Sequence, residues 1–500
     1  MLFCLIILMR EDGMSKKKLA GIIAACAVVI IVAILLVIFR PWRPPISPLI
    51  YSLSVDVSPS GAGLVSPLGG TYGPGVQVTL TASPANGYRF VNWTGDVRTV
   101  SNVNSALAII SMNDDYSITA NFALEIIEIR DWYDLDAVRE NLGGSYLLMN
   151  GLDSTIAGYM ELASKTANGG MGWEPIGTSG DGFTGSFNGQ GYEIRDLFIN
   201  RPDQDYVGLF AHISWMHPIE NVGVIENVGL VNADVTGYRQ VGALVGDNSG
   251  IVNNSYSTCS VTSGWSYVGG LVGYNDGGFV SNSYSASNVT GFRYVGGLVG
   301  GITGTRAVRE GTVINCYSTS SVTGFTRTGG LVASIVADGN VSNSYFAGSV
   351  NGTRWVGGLV AENYGGNVSN SYSTGNVTGR DYSGYVGGVV GLNLWGSISS
   401  CYSTGTVSGK RPVGSLVGEN SEGTVNNSFW DTETSGQATS DGGTGKATAE
   451  MQDIDTFTDT ETEGLDEPWD ITAIAPGETN DAYTWNIVDG QTYPFLSWQS

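Results

Sequence analysis

Side chains suited to covalent or acid–base chemistry are sparse in this 500-residue chain. Its two histidines, His212 and His217, lack the His-Glu-x-x-His spacing of a zinc-peptidase helix and read as surface or turn residues. Ser440 to Ala447 echoes a phosphate-binding loop. It has Ser440 where that pattern needs Gly and Ala447 where it needs Ser or Thr, so it reads as a flexible loop. Carboxylates such as Asp276, Glu310, Asp338, Glu362, Asp381, Glu419 and Glu422 are scattered among different turns. Glycoside hydrolysis needs two acids within about 5 to 9.5 Å, and no motif singles out a pair. The acidic run from Glu450 to Asp470 lacks the Asp-x-Asp-x-Asp-Gly spacing of a calcium loop and reads as solvated. No catalytic residue, metal ligand or cofactor is therefore expected.

A sharper signal is a recurring turn rich in aromatic and basic residues. It reads Tyr238-Arg239, Trp265-Ser266-Tyr267, Phe292-Arg293-Tyr294, Phe325-Thr326-Arg327, Arg354-Trp355, Arg380 with Tyr382 and Tyr385, and Lys410-Arg411. Seven of the 23 basic residues fall there. Stacked at ~4.8 Å per strand, these residues would form a ladder along one edge. Aromatic faces take sugar rings by apolar contact, and Arg pairs bidentately with carboxylates or sulfates. The candidate ligand-binding set is Tyr238, Arg239, Trp265, Tyr267, Phe292, Arg293, Tyr294, Arg327, Arg354, Trp355, Tyr382, Tyr385 and Arg411. The bland alternative is that the rings fold over Gly turns and the guanidinium groups merely stack on them.

The element that must position this turn is a repeat. Val268-Gly-Gly-Leu-Val-Gly273 returns from Val241, Val295, Thr328, Val356, Val386 and Val413, at intervals of 27 to 33 residues. A degenerate copy starts at Val207. Between copies lies a second phrase, Val280-Ser-Asn282-Ser-Tyr284, with a further Val five residues after each Tyr. Strict alternation would set Val, Asn and Tyr on one face of a strand, with Ser on the other. Such a period, with strand pieces and Gly turns, predicts a mostly β chain whose body is a parallel β-solenoid.

These phrases resemble the GLUG motif over residues 207–430. The resemblance implies a cell-surface or adhesin-like protein and no reaction. The segment through Gly75-Val-Gln-Val-Thr-Leu80, Gly87-Tyr-Arg-Phe90 and Trp93-Thr-Gly95 resembles the divergent B-repeat of internalin-like surface proteins, which implies a spacer. Ahead of it, Leu19 to Phe39 carries no charge and is long enough to span ~30 Å of hydrocarbon. Lys16, Lys17 and Lys18 place the short N-terminus in the cytoplasm and the bulk of the chain outside. Met14 is a natural alternative start to Met1.

The expected order is a cytoplasmic tip (1–18), a transmembrane helix (19–39), a Pro-rich linker (40–50) and a small β domain (51–124). A solenoid lead-in and cap (125–206), the repeats (207–430) and a C-terminal cap (431–500) follow. In the lead-in, Trp132, Leu135, Val138 and Leu142 are spaced for a helix after a capping Asp131. A net charge of −23 suits a solvated surface and excludes a nucleic-acid partner. Cys316 and Cys401 fall three coils apart, roughly 14 Å at ~4.8 Å per strand. That exceeds the ~7 Å reach of a disulfide, so free, semi-buried thiols are expected. The function expected is that of a membrane-anchored extracellular repeat protein in adhesion, glycan binding or envelope structure, without catalysis, with a surface glycan or envelope protein as partner. The alternatives are a β-helix lyase or glycosidase and a purely structural spacer.

Overall fold

The computed structural model describes residues 15–39, 48–85, 87–216, 221–304, 309–380, 384–410 and 412–499. The expectations for His217, Asp381, Tyr382, Arg411, most of the cytoplasmic tip and most of the 40–50 linker lie outside the described residues. The chain forms two compact units, Met1–Ser83 with Phe90–Asn121, and Pro84–Arg89 with Phe122–Ser500.

In the first unit, Lys16–Ile38 is one α-helix. Its stretch Ala20–Ile38 is long and apolar enough to cross a membrane. The β part pairs Tyr51–Ser58 in parallel with Tyr116–Leu124 and Val76–Pro84 antiparallel with Leu107–Met112. Alternate residues of these strands (Leu53, Val55, Leu80, Ile110, Ile118) are buried with Trp93.

The second unit is the solenoid. Among the described residues its coils are built from three sheets of eleven, twenty and eight strands. One coil, Val356 to Tyr385, shows the plan. Val356-Gly357 ends a pass of the twenty-stranded sheet, a Gly corner follows, and Val360–Tyr364 runs in the eight-stranded sheet. Asn367–Ser369 belongs to the eleven-stranded sheet, and Tyr372–Ser373 with Asn376–Gly379 returns to the first. Successive coils stack in register, Val261 on Val289, Val322, Val350, Val377 and Val407, all essentially buried. The Gly corner follows from close approach between coils. A Cβ on Gly297 would sit 2.0 Å from the carbonyl oxygen of Gly330.

The expected alternation through the second phrase fails at its Asn. Asn254, Asn282, Asn315, Asn343, Asn370 and Asn427 have φ between 45° and 54°, a left-handed conformation that Asn tolerates better than most residues. The bend between two sheets resets parity. Val280, Ser283 and Ser285 point inward, and Tyr284 turns to the outside.

At the N-terminal end the expected helix is present. Asp131 caps Trp132–Asp136 by accepting the Asp134 N–H, and Trp132, Leu135 and Val138 seal the core. At the other end the segment expected to be a flexible loop is ordered. Thr444–Lys446 pairs with Phe429–Asp431 as a further strand of the twenty-stranded sheet, and Ser440 Oγ accepts from the Leu416 and Val417 amides. The acids of the run from Glu450 to Asp470 are exposed, as expected, but the segment that carries them is ordered, with short helices at Thr448–Met451 and Asp455–Thr458. Met451, Phe457, Leu465 and Trp469 anchor it in a second apolar cluster. Cys259, Cys316 and Cys401 are free and fully rather than partly buried, which pushes their thiols up to about 12.

Candidate functional site

Each recurring turn contributes residues at three offsets before the Val that opens the next phrase, and each offset makes its own row. Three residues before stand Tyr238, Trp265, Phe292 and Phe325. Their rings stack with centroids 6.4, 5.6 and 5.0 Å apart. Trp265, Phe292 and Phe325 are 37%, 41% and 43% exposed. This is the outward ladder.

The residue immediately before the Val behaves oppositely. Tyr267, Tyr294, Arg327 and Trp355 have φ of 51° to 57°, which turns them back over the outer face of the eight-stranded sheet. Tyr267 stacks on Tyr294 at 4.4 Å. The Arg327 guanidinium lies 4.8 Å from the Tyr294 ring centre and 4.1 Å from that of Trp355. Arg327 Nε also donates to Glu362 Oε2 at 2.6 Å, and Ser334 Oγ donates to the same oxygen. Both charged side chains are nearly buried. Burial and the neighbouring Tyr294 push the Tyr267 phenol up to about 12. Tyr385 sits at the same offset and is half-buried. The rings and the guanidinium of this row thus stack on one another, and all five residues are half-buried.

Two residues before the Val lie Arg239, Arg293 and Arg354. Arg239 rests 5.3 Å from the Tyr238 ring centre and Arg293 5.7 Å from that of Tyr294. The Arg293 Nε is buried and makes no hydrogen bond to the protein. Arg239, Gln240, Trp265, Ser266, Tyr267, Arg293 and Tyr294 line a shallow groove of about 410 Å³. Thus Tyr238, Arg239, Trp265, Phe292 and Arg293 come together at an accessible surface, joined by Phe325, which the candidate set omitted.

Other groups were less legible. His212 belongs to the strand Phe210–Ile213, with its Nδ1 3.3 Å from Asp247 Oδ2, so it is a strand residue rather than a turn residue. Burial, then Asp247, raises the nearby Asp276 carboxyl. A larger groove of about 640 Å³ carries Tyr159, Lys165, Asp196 and Asp234 near the lead-in. Among the described residues, no group of three His, Cys, Asp or Glu side chains is placed to hold a metal ion.

A further ladder is buried. Asn248 Nδ2 donates to Asn275, Asn363 to Asn393, and Asn393 to Asn420, at 2.7 to 2.9 Å. Ile302 and Ile335 take the intervening register positions. The signal was present as an Asn three residues after the second Val of the phrase.

With this geometry in place, the comparisons define the class of chain. Residues 53–126 match the divergent InlB B-repeat domain, and residues 293–323, 355–378 and 382–408 match the GLUG motif. The chain is a repeat protein carrying GLUG motifs behind a B-repeat domain and an N-terminal apolar helix.

It is similar to a Gly-rich membrane protein of Evansella cellulosilytica, 39% identical over 117 residues, covering 23% of this chain and 12% of that one. It is also similar to halomucin of Haloquadratum walsbyi, 31% identical over 184 residues, covering 36% of this chain and 2% of that one. The chain therefore spans only a small part of these relatives. Among solved structures, a protein described as an immunoglobulin A1 protease from Bacteroides ovatus aligns at 21% identity and TM-score 0.40, over 75% of this chain and 92% of that one. An IgA1 protease aligns at 14% identity and TM-score 0.31, over 77% and 29%.

Proposed function

We propose that this chain is a surface-displayed, membrane-anchored binding protein without catalytic activity, and that its outward aromatic ladder binds carbohydrate. The observation that carries the reading is the stack of Trp265, Phe292 and Phe325 left open beside Arg239 and Arg293. A soluble face gains nothing by exposing large rings in a row, and contiguous exposed apolar surface marks interaction sites. Rings stacked one per coil present a continuous row of apolar edges along which successive sugars can lie. Anchoring rests on the apolar helix and on the membrane-protein name of one relative; the three Lys at the start of that helix, ahead of its apolar stretch, favour an outward orientation for the bulk of the chain.

The test is a glycan array probed with the full chain in lipid nanodiscs, beside a Trp265→Ala/Phe292→Ala variant. Binding by the parent and loss by the variant is expected. Equal binding by both would remove the ladder from the site. A second reading, a carbohydrate-cleaving enzyme, has Asp196 and Asp234 with Lys165 in its favour. Release of reducing ends from a bound polysaccharide, abolished by Asp234→Asn, would replace the present reading with that one.

A further inference from the structure

The row two residues before each phrase has a period of its own. Arg239 pairs in register with Ser266, Ser266 with Arg293, Arg293 with Thr326, and Thr326 with Arg354. The same offset holds Gly384 before Val386 and Arg411 before Val413 in the sequence, although Arg411 itself lies outside the described residues. Arg thus alternates with a small uncharged residue through seven consecutive phrases.

Repulsion between neighbouring coils accounts for part of this, since like charges directly opposite on adjacent strands are destabilising. It does not account for the choice of spacer. In a chain with 46 acidic residues, a face that needed only charge balance would place Asp or Glu between the Arg residues. Instead no acid occupies this offset, or the offsets either side of it, in any of the seven phrases. The nearest in-register acid is Asp205, one coil before Arg239. Ser266 and Thr326 are buried and uncharged, so Ser266 sets no carboxylate between the Arg239 and Arg293 guanidinium groups.

We propose that the ladder takes an acidic polysaccharide with an anionic group on every second sugar. This rests on the carbohydrate-binding reading above. One pyranose of an extended chain advances by close to one coil. Successive sugars would then lie over Tyr238, Trp265, Phe292 and Phe325 in turn. Carboxylates or sulfates on alternate sugars would meet Arg239 and Arg293, which are two coils apart, on the order of 10 Å at ~4.8 Å per strand. Charge-assisted bidentate pairing with a guanidinium fixes that register, and a small residue between leaves the uncharged sugar unopposed.

The experiment compares three oligosaccharides of equal length against the full chain in nanodiscs. They are hyaluronan with its alternating carboxylate, oligogalacturonate with one on every sugar, and chitin oligosaccharide with none. Hyaluronan is expected to bind at least tenfold tighter than either of the others. Arg239→Ser/Arg293→Ser is expected to erase that preference, and Ser266→Arg/Thr326→Arg to shift it toward oligogalacturonate. Equal affinity for both acidic chains, or a preference unmoved by either variant, overturns the alternation. Chitin binding as tight as hyaluronan binding, and lost in Trp265→Ala, overturns it while leaving the carbohydrate reading intact. No binding to any of the three, with no hit on the wider array, overturns both.

Discussion

Two exposed-side aromatic ladders climb the same solenoid and end differently. On one flank Tyr256, Tyr284, Tyr317, Tyr345, Tyr372 and Tyr402 stack at 4.7 to 5.0 Å with planes within 9° of parallel. The C-terminal segment lies over the later part of that stack. Trp485 packs on Tyr372 and Tyr402, Trp498 on Tyr317 and Tyr345, and Tyr402 donates to the Pro494 carbonyl. On the turn edge, Trp265, Phe292 and Phe325 stack by the same one-per-coil rule and remain exposed. In-register repetition makes a ladder wherever a ring recurs. Whether the ladder holds the fold together or stays open is decided by what else in the chain reaches it.

That contrast can be broken most strongly at Trp485, which is fully buried between the Tyr stack and Trp469. Trp485→Ala is expected to cost about 3–5 kcal/mol, as for other buried Trp truncations, read as a lower denaturation midpoint. Removing the Glu362 carboxylate strands the Arg327 guanidinium between Tyr294 and Trp355. Glu362→Ala is expected to cost about 3 kcal/mol in the same measurement, and Glu362→Gln less.

A milder perturbation is pH. Burial alone would raise the Asp431 carboxyl. Hydrogen bonds from Tyr493, Thr448 and the Glu433 and Thr434 amides outweigh it and hold the group below its usual 3.8. A carboxylate depressed in the folded state stabilises above its unfolded value and loses that contribution as pH falls through the folded one. The C-terminal segment should therefore loosen below about pH 4, seen as a shift in Trp fluorescence that Asp431→Asn shows already at neutral pH. At the corner, Asn370→Ala is expected to cost about 1 kcal/mol and Asn370→Gly much less, because its φ is 45°. The smallest effect should come from Trp265→Ala, within about 0.5 kcal/mol for an open surface site, while carbohydrate binding is lost.

Much of this was readable from residue spacing. The period, the buried Val positions and the unpaired thiols all follow from one coil repeating on itself, and the Asp131 cap from helical spacing in the lead-in. The inward row was not separable from the outward one. Trp265 and Tyr267 lie two residues apart, and alternation would put them on one face. The left-handed backbone at Tyr267, invisible in a residue string, sends it the other way. Asn282 misled for the same reason. The Arg327–Glu362 pair and the Trp498–Asn343 contact join positions 35 and 155 residues apart. The first joins neighbouring coils but depends on the left-handed turn at Arg327, and the second joins the C-terminal segment to a distant coil, so neither could be read from the repeat phrases alone.

The fold-back of the C-terminal segment bears on how the protein comes apart under tension. A stack of coils that touch only their neighbours frays from its free end, one coil at a time. Here Trp498 donates to the Asn343 carbonyl while Trp469 donates to that of Asn427. One segment thus clasps the intervening coils together. A pull on the far end would have to strip this clasp before the last coil could peel, so those coils should yield together in one event rather than in successive small ones.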